Sequence, residues 1–228
     1  MKHWLKADLH LHTNEDPEDN TLKYSAKELI DEASRLKFDV LSFTFHNKVR
    51  DGKEFKKINK YAKSKGILLI PGCEASIEGK HTLIYNITEK ERSSINTFDE
   101  LRKLKAKLLK QKRNILIVAP HPFSRHPWKK INLGKKLEEN RDLFDAIEHV
   151  FFYHKYLYNP NKKAVKFAKR YDKPVIGNSD AHKLNYLKKT YTLIDSKKTV
   201  DDVLAAIKNK KTKITTTPLS LLFMIKTI

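Results

Sequence analysis

Histidines and acids recur along this chain of 228 residues at spacings that suit metal coordination. The first group is Asp8-Leu9-His10-Leu11-His12. In an extended strand alternate side chains share a face, so Asp8, His10 and His12 are expected to point one way, Leu9 and Leu11 the other. Two imidazoles beside a carboxylate can grip one divalent ion. The competing reading is a pair of ordinary histidines on a half-exposed strand. Further along, His46, Glu74, His121, Asp180 and His182 each come where an apolar run stops. His81 precedes its run, but Glu78-Gly79-Lys80 reads as a tight turn, and an antiparallel return strand would bring His81 beside Glu74. Imidazoles and carboxylates without thiolates suit Zn, Mn or Fe. A set this large implies at least two ions, since four donors fill a tetrahedral site. Clustered ions suit phosphoester cleavage, because they lower the pKa of water and neutralise charge on the attacking and leaving oxygens.

The elements that must position these groups alternate. Apolar β-type runs fall at 4–11, 40–45, 67–71, 82–87, 114–119, 144–149, 174–178 and 190–194. Between most of them lie helix signals. Ser25 with Glu28 is a capping box opening a helix to about Leu36. Apolar residues at three- and four-residue spacing mark 54–65, 98–111 and 161–171. Thr199 with Asp202 starts a last helix ending near Lys210. Such alternation predicts a parallel sheet, open or closed. With only 6 glycines and neither dinucleotide nor P-loop fingerprint, a barrel is favoured over a nucleotide fold. Ligand types at strand ends fit the rim where barrel enzymes carry their sites. No linker or repeat interrupts the chain, so a single domain over 1–228 is expected.

The formal net charge is +20, from 47 Lys+Arg against 27 Asp+Glu. This favours polyanionic or phosphorylated partners, although Lys dispersed through helices reads equally as surface composition. Cys73 is the sole cysteine, so no intrachain disulfide can form. No signal-peptide core precedes Asp8, and the longest apolar run, 219–225, is too short to span a bilayer. The expectation is a soluble, cytoplasmic protein with no membrane partner; the role of the segment after Pro218 and the oligomeric state are left open.

The ordered motifs Asp8-Leu-His10-Leu-His12-Thr13, Thr44-Phe-His46-Asn47, Gly72-Cys-Glu74, His81, Pro120-His121-Pro122 and Asn178-Ser-Asp180-Ala-His182 resemble the PHP (polymerase and histidinol phosphatase) family, over residues 7–194. That resemblance implies an α/β fold, a distorted TIM-like (β/α)7 barrel, with helix and strand over 199–228 completing or capping it. It also implies two or three divalent ions. His10, His12, Glu74 and Asp180 would hold one, and Glu74 would bridge to a second bound by His81 and His121. A third would take His46, His182 and an acid from the loop after His12. The family's acid position is Pro17 here, which makes Asp16 the first choice and Asp19 the second. Phe45 stands where the family usually has an Asp, removing one carboxylate that could orient His46. Asp8 is expected to accept a hydrogen bond from a ligand imidazole. Glu148 matches an acidic position of relatives, and reads either as such a partner or as a rim charge.

The implied activity is hydrolysis of a phosphomonoester or phosphodiester by metal-activated water, on a small phosphorylated metabolite or nucleotide. Asp180, His182 and His121 are candidates for moving the leaving-group proton. Lys48, Arg125, His126 and Lys183, with Arg50, are candidates for orienting phosphate, against a background of Lys in most loops. One alternative is a 3'-5' exonuclease or other nucleic-acid phosphodiesterase. Against it, no stacking platform stands out, since Phe123, Trp128 and Tyr153 are at spacings that usually pack cores. Another is a non-catalytic RNA-binding barrel, which the near-complete ligand set argues against.

Overall fold

The structure is a computed structural model that describes residues 4–125 and 131–220. In chain order the strands are β1 (Trp4–Leu11), β2 (Val40–Phe43), β3 (Leu68–Leu69), β4 (Gly72–Ile77), β5 (Lys80–Tyr85), β6 (Leu116–Ala119), β7 (Ala146–Val150), β8 (Val175–Asn178), β9 (Thr190–Asp195) and β10 (Thr212–Thr216). The α-helices are α1 (Ala26–Arg35), α2 (Gly52–Ser64), α3 (Glu89–Arg92), α4 (Phe98–Lys110), α5 (Lys135–Glu139), α6 (Asn161–Arg170) and α7 (Val200–Lys208). Ser25 caps α1 as expected: its hydroxyl accepts from Glu28 N, and its own N–H donates to Glu28 Oε2 at 2.8 Å. Among the described residues no helix is long and apolar enough to cross a membrane.

The closed barrel expected from the sequence is not what the strands form. They divide into two five-stranded sheets, ordered β10-β9-β1-β2-β3 and β4-β5-β6-β7-β8, with no closed barrel among the described residues. The reason lies in two short seams. After the two-residue β3, the chain enters the antiparallel β4–β5 hairpin instead of another parallel strand. This hairpin meets the first sheet through a single bridge, His46 with Glu74. On the other side, β8 reaches β1 mostly through side chains: Leu9 N donates to Asn178 Oδ1 at 3.0 Å, Ser179 N donates to Asp8, and one bridge joins Leu11 to Ala181. Thr192 Oγ1 likewise takes the N–H of Gly177 and donates to its carbonyl. Side chains satisfy backbone groups that a continuous ladder would otherwise pair.

β1 also breaks the simple alternation. Its register with β2 shifts between Asp8 and Leu11. Leu9 therefore packs in the core enclosed between the sheets, with Tyr85, Val118 and Ile176, whereas Leu11 packs outside with Leu29 and Ile30 of α1. An irregularity of this kind re-aims side chains beside a site. The remaining apolar layer lies between the second sheet and α4, α5 and α6. β10 is an edge strand on β9, and Leu219 beyond it is buried against the outer layer near Leu187 and Phe151.

Gly177 is the tightest point of the β8 seam. A methyl there would sit 2.7 Å from Ile214 Cγ2 and 2.8 Å from Thr190 Cγ2. We expect Gly177→Ala to destabilise the fold by about 1–3 kcal/mol through overpacking, read as a lower midpoint in urea denaturation. An unchanged midpoint would show that β8 can move away from β9 and β10 without loss.

Candidate metal centre

The polar groups converge where the two sheets meet. His10 lies on β1 with His12 just beyond its end, and His46 follows β2. Glu74 lies within β4 and His81 on β5, while His121, Asp180 and His182 follow β6 and β8. The expected hairpin is present: Glu78 and Gly79, at φ of 49° and 72°, make the two-residue turn between Ile77 and Lys80. Leu83 faces Glu74 in the ladder, so His81 is its diagonal neighbour, and its Nδ1 lies 2.6 Å from Glu74 Oε1.

Glu74 is 2% exposed and divides its two oxygens between two sets of imidazoles. Oε1 faces His81 Nδ1 and His121 Nε2, at 2.6 and 2.9 Å. Oε2 faces His10 Nε2, His12 Nε2 and His46 Nε2, at 3.3, 3.4 and 3.2 Å. Asp180 Oδ1 stands 3.4 Å from His10 Nε2 and 3.5 Å from His12 Nε2. A tetrahedral ion with bonds of about 2.1 Å needs ligand atoms about 3.4 Å apart. Four of the six edges of that tetrahedron are thus in place. The Nε2 atoms of His10 and His12 are buried and have no hydrogen-bond partner among the described residues. Buried imidazole nitrogens left without partners while carboxylates stand just beyond hydrogen-bond range fit an ion between them.

The outer nitrogens of these rings are fixed. His10 Nδ1 donates to Glu148 Oε1 at 2.8 Å, which leaves Nε2 as the atom that could meet an ion. Glu148 is fully buried, accepts from Asn178 Nδ2, and takes the backbone N–H of His121 at 2.7 Å. It braces His10 and His121 from inside and is not a rim charge. Asp8 has different surroundings from those its strand position implies. It receives no imidazole; its carboxylate accepts the backbone N–H groups of His10 and Ser179. Burial raises it to about 7, against those hydrogen bonds.

The loop after His12 supplies two acids with different surroundings. Asp16 is fully buried, and its Oδ2 already faces His12 Nδ1, His46 Nδ1 and the His46 backbone N–H. It supplies the orientation of His46 that Phe45 cannot. Asp19 instead lines the cleft. Its Oδ2 has no hydrogen-bond partner, yet stands 3.3–3.4 Å from His12 Nδ1, His46 Nδ1 and His182 Nε2. Tyr24 ties this loop to the opposite rim, its hydroxyl donating to Ala181 O at 2.7 Å. Asp16, Asp19, Glu148 and Asn178 thus do work that sequence spacing alone did not separate. The candidate ligand atoms form overlapping groups: His10, His12 and Glu74; His10, His121 and Asp180; His12, Asp180 and His182; and His46, Glu74 and His81.

The cleft above these groups holds about 250 Å³ and is walled by Glu18, Asp19, His46, Glu74, His81, His121, Ile131, Asp180 and His182. None of Lys48, Arg50, Arg125 and Lys183 belongs to that wall. Two of them are drawn elsewhere: Lys183 lies over the Tyr186 ring, and Arg50 over Phe45. His126 and Trp128 lie outside the described residues, Tyr153 is buried, and Phe123 packs against the outer core.

Charge is balanced by protons in the ion-free state. Burial disfavours charge on His46 and His182, but carboxylates outweigh it. Asp16 and Asp19 raise His46 to about 11, and Asp19 and Asp180 raise His182 to about 9. Glu74 and Asp180, despite burial, are held well below the usual carboxylate range by the imidazoles around them. A divalent ion must displace those imidazole protons, so its apparent affinity should rise with pH from about 6 to 9 and binding should release protons. Calorimetry in buffers of different ionisation enthalpy measures this; proton-neutral binding would contradict it. Glu148→Gln should weaken the tightest ion about 10–100-fold, measured by competition with a chromophoric chelator. Unaltered affinity would mean that His10 needs no brace.

Comparison with known proteins adds three findings. The family described as PHP-associated matches residues 159–212, the segment that carries Asp180 and His182. No curated protein matches the chain by sequence. Among solved structures, PsfC from Pseudomonas syringae is similar at TM-score 0.64 and 19% identity, over 94% of this chain and 92% of that one. A protein from Bifidobacterium adolescentis assigned as a metal-dependent phosphoesterase is similar at 0.52 and 14%, over 78% and 87%. An amidohydrolase from Chromobacterium violaceum, with bound sulfate and no metal, gives 0.52 and 14%, over 77% and 87%. The family match is confined to that segment, and the solved structures, each under 20% identical, show a shared fold.

Proposed function

We propose that the chain is a metal-dependent hydrolase of phosphoesters. The observation that carries this reading is the set of near-tetrahedral separations among His10, His12, Glu74 and Asp180, with two buried imidazole nitrogens left unpaired. Glu74 offers its second oxygen to an ion shared with His81 and His121. Asp19, with His46 and His182, is the natural acid of a third position; Asp16 serves better as the partner that aims the rings. Oxygen and nitrogen donors without sulfur suit Zn, Mn or Fe. Divalent ions held there supply Lewis acidity and a lowered pKa for water.

The chain's own residues do the rest. Among the described residues the wall of the cleft contains no Lys or Arg, so a bound phosphate meets imidazoles and the ion positions there. A space of about 250 Å³ suits a phosphoryl group with a small organic portion. His182 is the partly exposed imidazole at the mouth. Its Nδ1 donates to the Asp180 carbonyl at 3.0 Å, which aims Nε2 past Asp19 toward the cleft. With no ion at the third position, Nε2 can carry a proton, which makes His182 one candidate donor to a leaving oxygen, with His121 and Asp180 deeper inside as the others. The two neighbours of the same fold named for phosphoester hydrolysis and for bound sulfate are consistent with this direction.

The test is a panel of phosphomonoesters, cyclic and bis-phosphorylated nucleotides and single strands, run with Mn and Zn after chelation. We expect turnover of a small phosphoester, abolished by chelator and reduced about 100-fold or more by Glu74→Ala. Wild-type turnover with full ion occupancy in Glu74→Ala would remove the bridging role. An ion-loaded protein inert across the panel would remove the hydrolase reading.

A further inference from the structure

Away from the cleft, one stretch of the chain differs in charge from its surroundings. Between Glu148 and Asp172 there is no acidic residue. The same stretch carries Lys155, Lys162, Lys163, Lys166, Lys169 and Arg170. The five cations of α6 are all exposed, whereas Ala164, Phe167 and Ala168 are buried against the second sheet. No ion pair engages Lys162, Lys163, Lys166 or Lys169 among the described residues. Lys162, Lys166 and Lys169 follow one another at helical spacing, about 5–6 Å apart at their Cβ atoms.

The loop that leads from β7 into this helix has a second unusual feature. Tyr156 is 78% exposed and Leu157 68%, side by side. They are not on a loose tip. His154 N donates to Tyr158 O at 2.7 Å, and the N–H groups of Tyr156 and Leu157 both donate to His154 Nδ1 at 3.2 Å. Tyr158 in turn accepts the Arg125 N–H at 2.6 Å, which joins the turn to the segment following His121. Lys155 lies 5.2 Å from the Tyr156 ring. An exposed aromatic ring on a braced turn that leads into a helix bearing a row of cations, without ion pairs among the described residues, matches what a single nucleic-acid strand requires. Phosphates take the cations, and an unstacked base takes the ring. A duplex could use the cations but has no free base for the ring.

We propose that α6 and the turn before it form a docking surface for single-stranded nucleic acid, with Lys162, Lys166 and Lys169 on the phosphates and Tyr156 stacked on a base. This surface lies outside the cleft and does not depend on what the cleft hydrolyses.

Because the whole chain is basic, the decisive experiment holds total charge constant. Binding of a fluorescein-labelled oligouridylate of about 20 nucleotides is followed by anisotropy over a salt series. Lys162→Glu/Lys166→Glu/Lys169→Glu should weaken it about tenfold or more and reduce the salt slope by about 2. The control is Lys53→Glu/Lys56→Glu/Lys60→Glu, an identical charge change on the exposed side of α2, which should leave affinity within about twofold. Tyr156→Ala should weaken the single strand about fivefold and leave a duplex of equal length unaffected, while Tyr156→Phe keeps both. Thermal melts confirm folding of each surface variant. Equal loss from both triple variants, or no salt-dependent binding by the wild type, overturns the proposal. Unchanged single-strand affinity in Tyr156→Ala overturns the stacking contact.

Discussion

The carboxylate of Glu74 is the fixed point about which this molecule is arranged. It is buried at the junction of the two sheets, and a buried carboxylate is tolerable only when opposite charge surrounds it. Five imidazoles do so, three toward one oxygen and two toward the other. Every element that supplies one of them must end within a few ångströms of that point. This constraint explains why strands of both sheets stop where they do. It also explains the backbone: His121 and Asp180 adopt positive φ, 29° and 46°, without being glycines. Such conformations persist where surrounding contacts over-determine them, and they cluster at functional sites.

Much of the centre was legible in the chain because the signals are local. An acid or imidazole at the end of an apolar run needs only strand geometry to be placed at a rim, and Glu78-Gly79 needs only turn chemistry to return His81 to Glu74. What was not legible depends on tertiary geometry. β4 is written in small and polar residues, Gly72-Cys73-Glu74-Ala75-Ser76, and β10 is an edge strand of Thr and Lys; neither has the apolar pattern of a core strand. Sheet closure is decided by side chains of Asn178, Asp8 and Thr192 reaching across long sequence separations.

The two acids of the first loop show the same limit at finer scale. Asp16 and Asp19 are three residues apart and chemically alike. Spacing preferred Asp16, yet the folded loop gives Asp16 the backbone and ring N–H groups and leaves an oxygen of Asp19 open to the cleft. The β1 irregularity near Asp8 had a similar effect, because period-two reasoning assigned Asp8 to the imidazole face, while the register shift turned it to backbone amides. The candidate phosphate-orienting cations Lys48 and Lys183, which do not line the cleft, show a different limit. A chain this rich in Lys puts one near every motif, and proximity in sequence then carries little information.

The division of the ligands between sheets bears on how the fold is held. His10, His12 and His46 lie on or just after strands of one sheet, and Glu74, His81 and His121 on or just after strands of the other. The seams between these sheets are single bridges and side-chain contacts. An ion seated among the six would act as a rivet, fastening halves of the polypeptide that otherwise cling by few bonds. Any binding that selects the joined state draws the folding equilibrium with it, so cellular ion supply would set the protein's resistance to unfolding and proteolysis as well as its chemistry.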